Sequence, residues 1–416
     1  MQVNYYLIRI IQVFLIGFAV SLVFTPISIR IAYRLDIIDK PRDDRRMHNR
    51  PIPRFGGLGI FAGTMAAMIV PAQLNEKVFI VMLGGILMYG IGVADDILDL
   101  KPMAKFISQW LTASAVYAMG IRITFITNFF SSGAGGVDAK VVLGEGLGYI
   151  ITVLWIVGIT NAVNLMDGLD GLAAGSVAIM AMSLAYVAYI HGTRYGMLVV
   201  CIALMAMAGA CLGFLPYNVS PAKTFMGDGG ALFLGYMIAT LSVLSPLKRA
   251  TFIGTVIPIM TLAVPIFDTV SSMIRRMWRH ESIMKADKEH LHHHLMAAGF
   301  GQRRSVLIMY GIVGIMGIVS ILISRELYVD GLLLAVIGLL YLGIILVPKK
   351  PEKEKKPKPI EKTGTTPPVL PPLVSRATGY IDLAEVRDRS DDRGPRGSRS
   401  GGKNSRKKQT NYDRKK

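Results

Sequence analysis

Three aspartates lie at the end of a hydrophobic stretch that is long enough to cross a membrane. They are Asp95, Asp96 and Asp99, in the run Gly-Val-Ala-Asp-Asp-Ile-Leu-Asp. Carboxylates at a bilayer surface suit the binding of Mg²⁺ and phosphate where a lipid headgroup lies. Asp95 and Asp99 share one helix face and Asp96 points to its flank, so all three can address one site. Such carboxylates repel one another unless a cation or a cationic side chain lies among them; the alternative is a solvated acidic helix end.

A second polar segment ends another apolar stretch and combines amides, glycines and carboxylates. Asn161 and Asn164 are one helical turn apart and therefore share a face. Two glycines then end the helix and expose backbone amides beside Asp167 and Asp170. Amides next to carboxylates suit hydrogen bonding to a nucleobase and to cation-bound water. Polar residues at this density are costly in an apolar helix end, which favours function over packing.

Asp228 lies between glycines in the run Phe225-Met-Gly-Asp-Gly-Gly-Ala. A carboxylate without bulky neighbours can reach a metal, and the helix that starts here turns its N-terminal amides toward anionic phosphate. The simpler alternative is that Asp228 only caps this helix. Phe225 suits stacking on a nucleobase, and an aromatic anchor at the membrane interface is the equal alternative.

A histidine cluster follows in the run Lys285-Ala-Asp-Lys-Glu-His-Leu-His-His-His. The neighbouring carboxylates and the absence of cysteine favour Mg²⁺ over a transition metal, so the imidazoles are predicted to contact phosphate. The predicted contacts are His290, His292 and His293. Orientation of the loop and zinc ligation are the alternatives. Asp268 and Arg275 either help to neutralise the same cavity or pair only with each other.

The elements that must position these residues are membrane helices. The chain has 416 residues, of which 52% are hydrophobic, with a mean hydropathy of +0.46. This is too apolar for a soluble domain, and the alternation of an outer-membrane barrel is missing. The predicted fold is therefore all-α and polytopic. Runs close to the ~20 residues that cross hydrocarbon predict about eleven transmembrane helices, at about 5–29, 57–73, 77–94, 103–121, 147–166, 171–191, 195–215, 230–246, 250–274, 304–324 and 329–347.

The distribution of basic residues predicts the orientation. Eight Lys and Arg residues lie between Arg30 and Arg54 and seven between Arg275 and Arg304, whereas the loops of opposite parity are short and sparsely basic. Basic loops face the cytoplasm. We therefore expect a multi-pass protein of the plasma membrane, with its N-terminus outside and its C-terminus inside. Every acidic motif then lies on the cytoplasmic face, and the first span is expected to be a retained helix rather than a signal peptide.

The net charge of +18 comes mostly from the C-terminal segment. Residues 349–416 hold 20 Lys and Arg against 9 Asp and Glu and are rich in Pro, Ser and Gly. This composition predicts a disordered basic cytoplasmic tail after a transmembrane domain at 1–348. A solvated linker is the favoured interpretation, and contact with the anionic lipid bilayer is the alternative. Binding to nucleic acid is not expected, because only the positive charge would favour it and no nucleic-acid-binding fold is indicated.

Two further features are expected to be structural when taken alone. The stretch from His48 to Gly57, with Pro-Ile-Pro-Arg-Phe-Gly-Gly, combines prolines that stiffen the chain with glycines that allow close approach. Without the other loops, the favoured interpretation is a helix-start turn with cytoplasmic arginines. Cys201 and Cys211 lie inside one predicted span, where a thiol is a small packing residue.

These motifs in this order resemble the polyprenyl-phosphate N-acetylhexosamine-1-phosphate transferases (glycosyltransferase 4 type), the membrane family that includes the enzyme making the first lipid intermediate of peptidoglycan. The resemblance covers the chain to about residue 347. The stretch around His48 and the histidine loop look more like the branch that uses UDP-GlcNAc than the branch that uses UDP-N-acetylmuramoyl-pentapeptide. An eleventh span favours the same branch.

The resemblance implies a role for each motif. Asp228, with Asp96, would hold Mg²⁺, or Mn²⁺ in its place, and Asp95 and Asp96 would flank the lipid phosphate. Asn164 and Asp167 would lie near the diphosphate, with Asn161 as a further substrate contact. Lys105 and the histidines would face phosphate oxygens and the sugar. The residues expected to contact uracil are Gly168, Leu169, Asp170 and Phe225. A departure is Gly229-Gly230-Ala231, where many relatives carry a serine; this puts only a minor hydrogen bond in doubt.

The implied reaction is attack by undecaprenyl phosphate on the sugar-linked phosphorus of UDP-GlcNAc, which gives undecaprenyl-diphospho-GlcNAc and UMP. It would start a cell-wall or surface polysaccharide such as teichoic acid, and dimers occur in the family, so a homodimer is an expected state. The alternative enzyme is phospho-N-acetylmuramoyl-pentapeptide transferase. A divalent-cation transporter is the alternative of another class, but it should carry charges near mid-bilayer and on both sides. A membrane scaffold is a third interpretation, in which the loop motifs would be dispensable.

Overall fold

Helices make up nearly all of the secondary structure in the computed structural model, which describes residues 2–39, 51–69, 75–127, 140–195, 198–244, 253–279 and 290–346. Thirteen helices lie in these ranges: α1 (Gln2–Arg34), α2 (Gly57–Ile69), α3 (Glu76–Leu98), α4 (Pro102–Ala118), α5 (Glu145–Met166), α6 (Leu172–Tyr195), α7 (Leu198–Asn218), α8 (Gly227–Leu244), α9 (Ile253–Thr261), α10 (Ala263–Trp278), α11 (Leu291–Ala297), α12 (Gln302–Ser324) and α13 (Tyr328–Leu346).

Four short strands form two antiparallel pairs. Strand β1 (Ile38–Asp39) pairs with β2 (Ile52–Pro53), and β3 (Phe125–Thr127) pairs with β4 (Lys140–Val142). These pairs join neighbouring segments and build no larger sheet among the described residues. The prediction of an all-α membrane fold is therefore confirmed in its main feature.

Within the described ranges, seven helices are long and apolar enough to cross a membrane: most of α1, and α3, α5, α6, α7, α8 and α12. The chain is thus a multi-pass membrane protein. The other predicted spans also coincide with helices, but α2 has 13 residues and α4 has 17, both short of the ~20 that cross hydrocarbon. The predicted span 250–274 is divided between α9 and α10, because Pro265 lacks the N–H that would continue the helix. The count of eleven stays a prediction.

Helix α8 lies at the centre of the packing. All of its residues from Gly229 to Val243 are buried, whereas α1 exposes large apolar side chains such as Leu15 and Val23, as expected of a lipid-facing helix. Free Cys201 and Cys211 are buried in α7.

Helices α3 and α5 approach α8 closely because glycines lie at the contacts. A Cβ at Gly92 of α3 would collide with the backbone carbonyl of Asp228, and a Cβ at Gly235 of α8 would lie 2.7 Å from Cα of Thr160 in α5. Small residues let membrane helices approach in this way. The ends of α3 and α5 that carry the predicted motifs are thereby brought to the N-terminus of α8.

Some predicted features lie outside the described residues. They are His48, the segment Asp287–Glu289 that precedes the histidines, and the basic tail at 349–416. All described residues belong to one unit, Met1–Glu352; a second unit is Lys353–Lys416. The domain boundary after residue 348 stays a prediction.

Candidate active site

The carboxylate of Asp228, in the first turn of α8, receives side chains from two other helices. Nζ of Lys105, on α4, lies 2.9 Å from Oδ2 of Asp228. Nδ2 of Asn164, near the end of α5, donates to Oδ1 at 2.7 Å. Three motifs that are far apart in the sequence therefore meet at one carboxylate, as the sequence predicts for a shared site.

Lys105 also joins Asp95 to this cluster. Its Nζ lies 2.8 Å from Oδ2 of Asp95, while Oδ1 of Asp95 accepts from the backbone N–H of Leu100 at 2.9 Å. The ammonium group thus lies between two carboxylates and offsets their repulsion. Asp99 was expected at the same site, but it is exposed at the C-cap of α3, in a left-handed conformation with φ of 50°.

Asp96 holds the N-terminus of α8. Its two carboxylate oxygens accept from the backbone N–H groups of Asp228 and Gly229, each at 3.0 Å. These are donors that a helix start leaves without intrahelical partners, and a negative charge there also complements the helix dipole. The cap of α8 is therefore supplied by Asp96 from α3 and not by Asp228. A further role of Asp96 as a metal ligand stays a prediction.

Gly227 makes this close contact sterically feasible. Its φ is +68°, and a Cβ at this position would lie 2.5 Å from Oδ2 of Asp96 and collide with the carbonyl of Arg54. Glycine adopts such a conformation without steric cost. The glycine before Asp228 thus allows the helix start to lie directly against the α3 carboxylate.

A cavity of about 410 Å³ opens beside Asp228, within the ~300–1,000 Å³ range of small-molecule sites. Most of the predicted nucleotide-binding residues line it. The lining residues are Asp39, Arg54, Asn164, Asp167, Gly168, Leu169, Asp170, Asn218, Phe225, Gly227, Asp228, His293 and Gln302.

The turn after α5 forms one wall of the cavity and is held by α7 and the loop after it. Oδ1 of Asn218 accepts from the N–H of Gly171 at 3.0 Å, and Oδ2 of Asp170 accepts from the N–H of Ala222 at 3.1 Å. Burial raises the pKa of the Asp167 carboxyl well above its usual range, and the charge of Asp228 adds to this effect while the guanidinium of Arg54 opposes it.

The Pro-Ile-Pro-Arg-Phe-Gly-Gly stretch pairs with the segment that precedes α8. The N–H of Phe225 donates to the carbonyl of Pro53 at 2.8 Å, and the N–H groups of Gly56 and Gly57 donate to the carbonyls of Phe225 and Met226, each at 2.9 Å. This pairing places Arg54 on the cavity wall.

Arg54 is a site residue that the sequence reasoning missed, because it was counted only among the cytoplasmic basic residues. The favoured interpretation of this stretch, a helix-start turn, accounts for α2 beginning at Gly57 but not for Arg54. The signal was an arginine enclosed between stiffening prolines and paired glycines. Asn218 and Gln302, at the ends of other helices, carried no comparable signal.

The histidine loop contributes one residue to the cavity, His293. Nδ1 of His290 lies 3.1 Å from Oδ2 of Asp268 in α10, and Oδ1 of Asp268 accepts from the N–H of Leu291 at 2.8 Å. The sequence predicts that Asp268 either helps to neutralise the cavity or pairs with Arg275, and neither expectation includes the contact with His290. Asp268 fixes the start of α11, and His290 is not among the residues that line the cavity.

His292 is buried against the turn after α5. A Cβ at Gly168 would lie 2.6 Å from Nε2 of His292, and its ring centroid is 4.3 Å from that of His293. Burial lowers the pKa of His292 to about 4, and the neighbouring His293 adds to this shift. The imidazole is therefore neutral at pH 7 and packs behind the cavity wall.

Asn161 likewise lies away from the cavity. Its Nδ2 donates to Oε1 of Gln109 at 2.5 Å and to the carbonyl of Val157 at 2.8 Å. Of the predicted substrate contacts, those on the cavity wall are Asn164, Gly168, Leu169, Asp170, Phe225 and His293. Lys105 reaches the site through Asp228.

The cavity suits a divalent cation that arrives with phosphate. Asp167 and Asp228 are two of the four aspartates that line the cavity, and Mg²⁺ is usually held by one or two carboxylates together with substrate phosphates. Among the described residues, no group of three or more His, Cys, Asp or Glu is arranged to hold a metal by itself. The carboxylate donors are oxygens, and none of the cavity-lining residues within the described ranges is a cysteine, which fits Mg²⁺ or Mn²⁺ better than a thiophilic metal.

Comparison with known proteins agrees with these motifs. Residues 78–246 match the model of glycosyl transferase family 4. A Bacillus subtilis protein named probable undecaprenyl-phosphate N-acetylglucosaminyl 1-phosphate transferase is 38% identical over 82% of this chain and 92% of its own length. A Mycobacterium tuberculosis decaprenyl-phosphate N-acetylglucosaminephosphotransferase is 33% identical over 68% of this chain and 75% of its own.

The other branch of the family is also represented. A phospho-N-acetylmuramoyl-pentapeptide-transferase of Geobacillus kaustophilus is 32% identical over 71% of this chain and 92% of its own length, a more distant relative than the Bacillus subtilis protein. The extent of these matches, together with the meeting of the predicted motifs at Asp228, identifies the chain as a member of glycosyl transferase family 4, the polyprenyl-phosphate N-acetylhexosamine-1-phosphate transferases.

Proposed function

We propose that this protein transfers GlcNAc-1-phosphate from UDP-GlcNAc to undecaprenyl phosphate, which gives undecaprenyl-diphospho-GlcNAc and UMP. The observation that carries the proposal is the convergence of Lys105 and Asn164 on Asp228 at the edge of a nucleotide-sized cavity. The name of the Bacillus subtilis relative supports the same transferred group and the same acceptor.

The donor diphosphate would lie between Asp228 and Arg54. Four aspartates line the cavity, Asp39, Asp167, Asp170 and Asp228, against one arginine, so a diphosphate needs positive charge beyond what the wall provides. Asp228 and Asp167 would hold Mg²⁺, or Mn²⁺ in its place, which neutralises charge on the transferred phosphoryl group. Arg54 and His293 line the same cavity and would donate to phosphate oxygens.

The lipid phosphate needs no strong base. A phosphate monoester with a second pKa near ~6 is mostly dianionic at neutral pH. One of its oxygens forms the new bond to the sugar-linked phosphorus, the bond from that phosphorus to UMP breaks, and UMP leaves with the electron pair. Both oxygens of Asp95 already accept bonds from Leu100 and Lys105. Asp95 would therefore position Lys105 for the incoming phosphate, with proton removal secondary.

The uracil base would occupy the part of the cavity formed by the turn after α5. Gly168, Leu169 and Asp170 of this turn line the cavity, as does Phe225 before α8, and the bonds from Asn218 and Ala222 keep the turn in place. A half-buried aromatic ring offers a stacking surface, and exposed turn amides offer hydrogen bonds to the base.

We also propose eleven spans in the plasma membrane, with the N-terminus outside and both the active site and the C-terminus cytoplasmic. The support is that each predicted span coincides with one helix or, at 250–274, with two, and that the distribution of Lys and Arg predicts the basic loops on the same membrane side as the carboxylates. A homodimer stays a prediction.

The test is UMP release by purified full-length protein from UDP-GlcNAc, with and without undecaprenyl phosphate and Mg²⁺. The proposal expects release only with both, and a radiolabelled GlcNAc product that extracts into organic solvent. UDP-N-acetylmuramoyl-pentapeptide is the alternative donor, and turnover with it alone would overturn the assignment. Transport of a divalent cation by reconstituted protein without UMP release would favour the transporter interpretation.

A further inference from the structure

A second polar contact lies one helical turn along α4 and α5 from the Asp228 cluster. Gln109 of α4 is fully buried, and its Oε1 accepts from Nδ2 of Asn161 in α5 at 2.5 Å. Neither residue lines the cavity. The contact therefore joins two helices and touches no proposed substrate.

The spacing along both helices couples this contact to Asp228. Gln109 follows Lys105 by four residues, and Asn161 precedes Asn164 by three, so each pair shares one face of its helix. Lys105 and Asn164 are the two side chains that bind opposite oxygens of Asp228. The separation of α4 and α5 at the Gln109 contact therefore determines where these two donors lie.

In the described part of the chain, no other side-chain bond between α4 and α5 lies this close to Asp228. Trp110 and Ser114 both contact the hydroxyl of Tyr149, at 3.1 and 2.9 Å, about three helical turns before Asn161. Those bonds join the helices near their other end. At the ends of α4 and α5 that lie near Asp228, the Gln109–Asn161 bond is the polar contact that joins the two helices.

The contact is costly, which argues against a packing role. A buried amide without full hydrogen bonding is unfavourable, and Nε2 of Gln109 has no hydrogen-bond partner among the described residues. An apolar side chain of similar volume would fill the same space at lower cost. We therefore expect this polar pair to fix the relative position of α4 and α5 rather than to stabilise the fold.

We propose that Gln109 and Asn161 form a positioning pair, which holds α4 and α5 at the separation where Lys105 and Asn164 bind opposite oxygens of Asp228. This inference rests on the proposed function, because the rate of that transfer is its main readout. It also assigns Asn161 to positioning instead of substrate contact.

The experiment compares four full-length variants in UMP release at varied UDP-GlcNAc and undecaprenyl phosphate. Gln109→Met removes the bond at nearly constant volume. Thr112→Val is the matched control, because it removes a buried hydroxyl of α4 that bonds only within its own helix. Gln109→Asn alone shortens the side chain, and Gln109→Asn combined with Asn161→Gln restores the combined length of the pair.

Gln109→Met is expected to lower kcat by about 10- to 100-fold, the loss associated with a displacement of about 1 Å, with both KM values changed less than about threefold. Thr112→Val should retain kcat within about twofold. The reciprocal exchange should recover at least about a third of the kcat lost in Gln109→Asn, which a misfolded protein would not do.

Retention of kcat by Gln109→Met, an equal loss in Thr112→Val, or no recovery in the exchange would overturn the positioning role. The wild-type assay separates this from failure of the proposed function. If the wild type turned over only the pentapeptide donor, the donor assignment would fall and the same variants would be compared with that donor. A wild type inactive with both donors would overturn both proposals.

Discussion

Asp95 and Asp96 are adjacent in the sequence, and the structure predicts that their amide variants fail in different ways. Asp96 accepts two backbone N–H groups at the start of α8, each at 3.0 Å. Asp95 accepts one backbone N–H and contacts Lys105. Asp96→Asn should therefore destabilise the fold, whereas Asp95→Asn should reduce turnover in a protein of nearly normal stability.

The magnitudes follow from the bonds lost. The amide in Asp96→Asn keeps one acceptor oxygen but turns an NH₂ group toward a backbone N–H, and it removes the negative charge at the helix N-terminus. Loss of a cap costs ~1 kcal/mol and loss of a charge at this end a similar amount, so we expect about 2 kcal/mol. In Asp95→Asn the Leu100 bond can persist, and Lys105 remains paired with Asp228 at 2.9 Å, so the cost should stay below ~1 kcal/mol.

The assay is thermal unfolding in detergent at one scan rate, because membrane proteins often unfold irreversibly, together with UMP release. Asp96→Asn should lower the unfolding midpoint by several degrees and Asp95→Asn by about two degrees at most. Asp99→Asn is the control, since Asp99 is exposed and asparagine tolerates its left-handed conformation. An equal loss of midpoint in Asp95→Asn, or none in Asp96→Asn, would refute the division of roles.

Three further predictions concern the cavity. Asp228→Asn should lower kcat by about 10²- to 10³-fold and remove the dependence on Mg²⁺, as measured by titrating the metal in the UMP assay; full activity with an unchanged Mg²⁺ curve would contradict the proposed metal site. Arg54→Ala should raise KM for UDP-GlcNAc about tenfold or more without changing KM for the lipid phosphate. The control is Arg122→Ala, because Arg122 lies after α4 and contacts Tyr117; it should change neither KM value. The imidazole of His292 gains a proton below about pH 6.5 in the unfolded chain, but only below about pH 4 in the folded protein. The stability of the folded state should therefore fall as the pH is lowered from about 6.5 to about 4. His292→Gln should weaken this pH dependence of the unfolding midpoint, whereas His294→Gln, at an exposed position, should leave it unchanged.

The sequence was sufficient to predict which motifs meet. Hydrophobic runs predicted the helices, and the excess of carboxylates and amides at helix ends marked residues that are too costly to be incidental. The requirement for a cationic group among the acidic side chains is met by Lys105, which lies between Asp95 and Asp228. Each of these inferences depends on local composition or on charge repulsion, which need no knowledge of tertiary partners.

The partner of each polar residue could not be predicted in the same way. Asp96 caps a helix 132 positions away in the chain, His290 pairs with Asp268, and Asn161 pairs with Gln109. In each case the residue type suits a ligand equally well, and only helix packing decides between ligand and neighbour. Arg54 was missed because the excess of basic residues in cytoplasmic loops already explains an arginine in a loop near a membrane. Its residue type therefore gave no reason to expect a ligand.

The start of α8 is attached to three helices by three different kinds of contact. Asp96 of α3 binds its backbone amides, Lys105 of α4 binds one oxygen of Asp228, and Asn164 of α5 binds the other. None of these bonds comes from a flexible loop, so the position of Asp228 depends on how closely the helices pack. Gly92 therefore matters to the chemistry although it carries no side chain: any side chain there would collide with the carbonyl of Asp228 and separate α3 from the carboxylate that it helps to position.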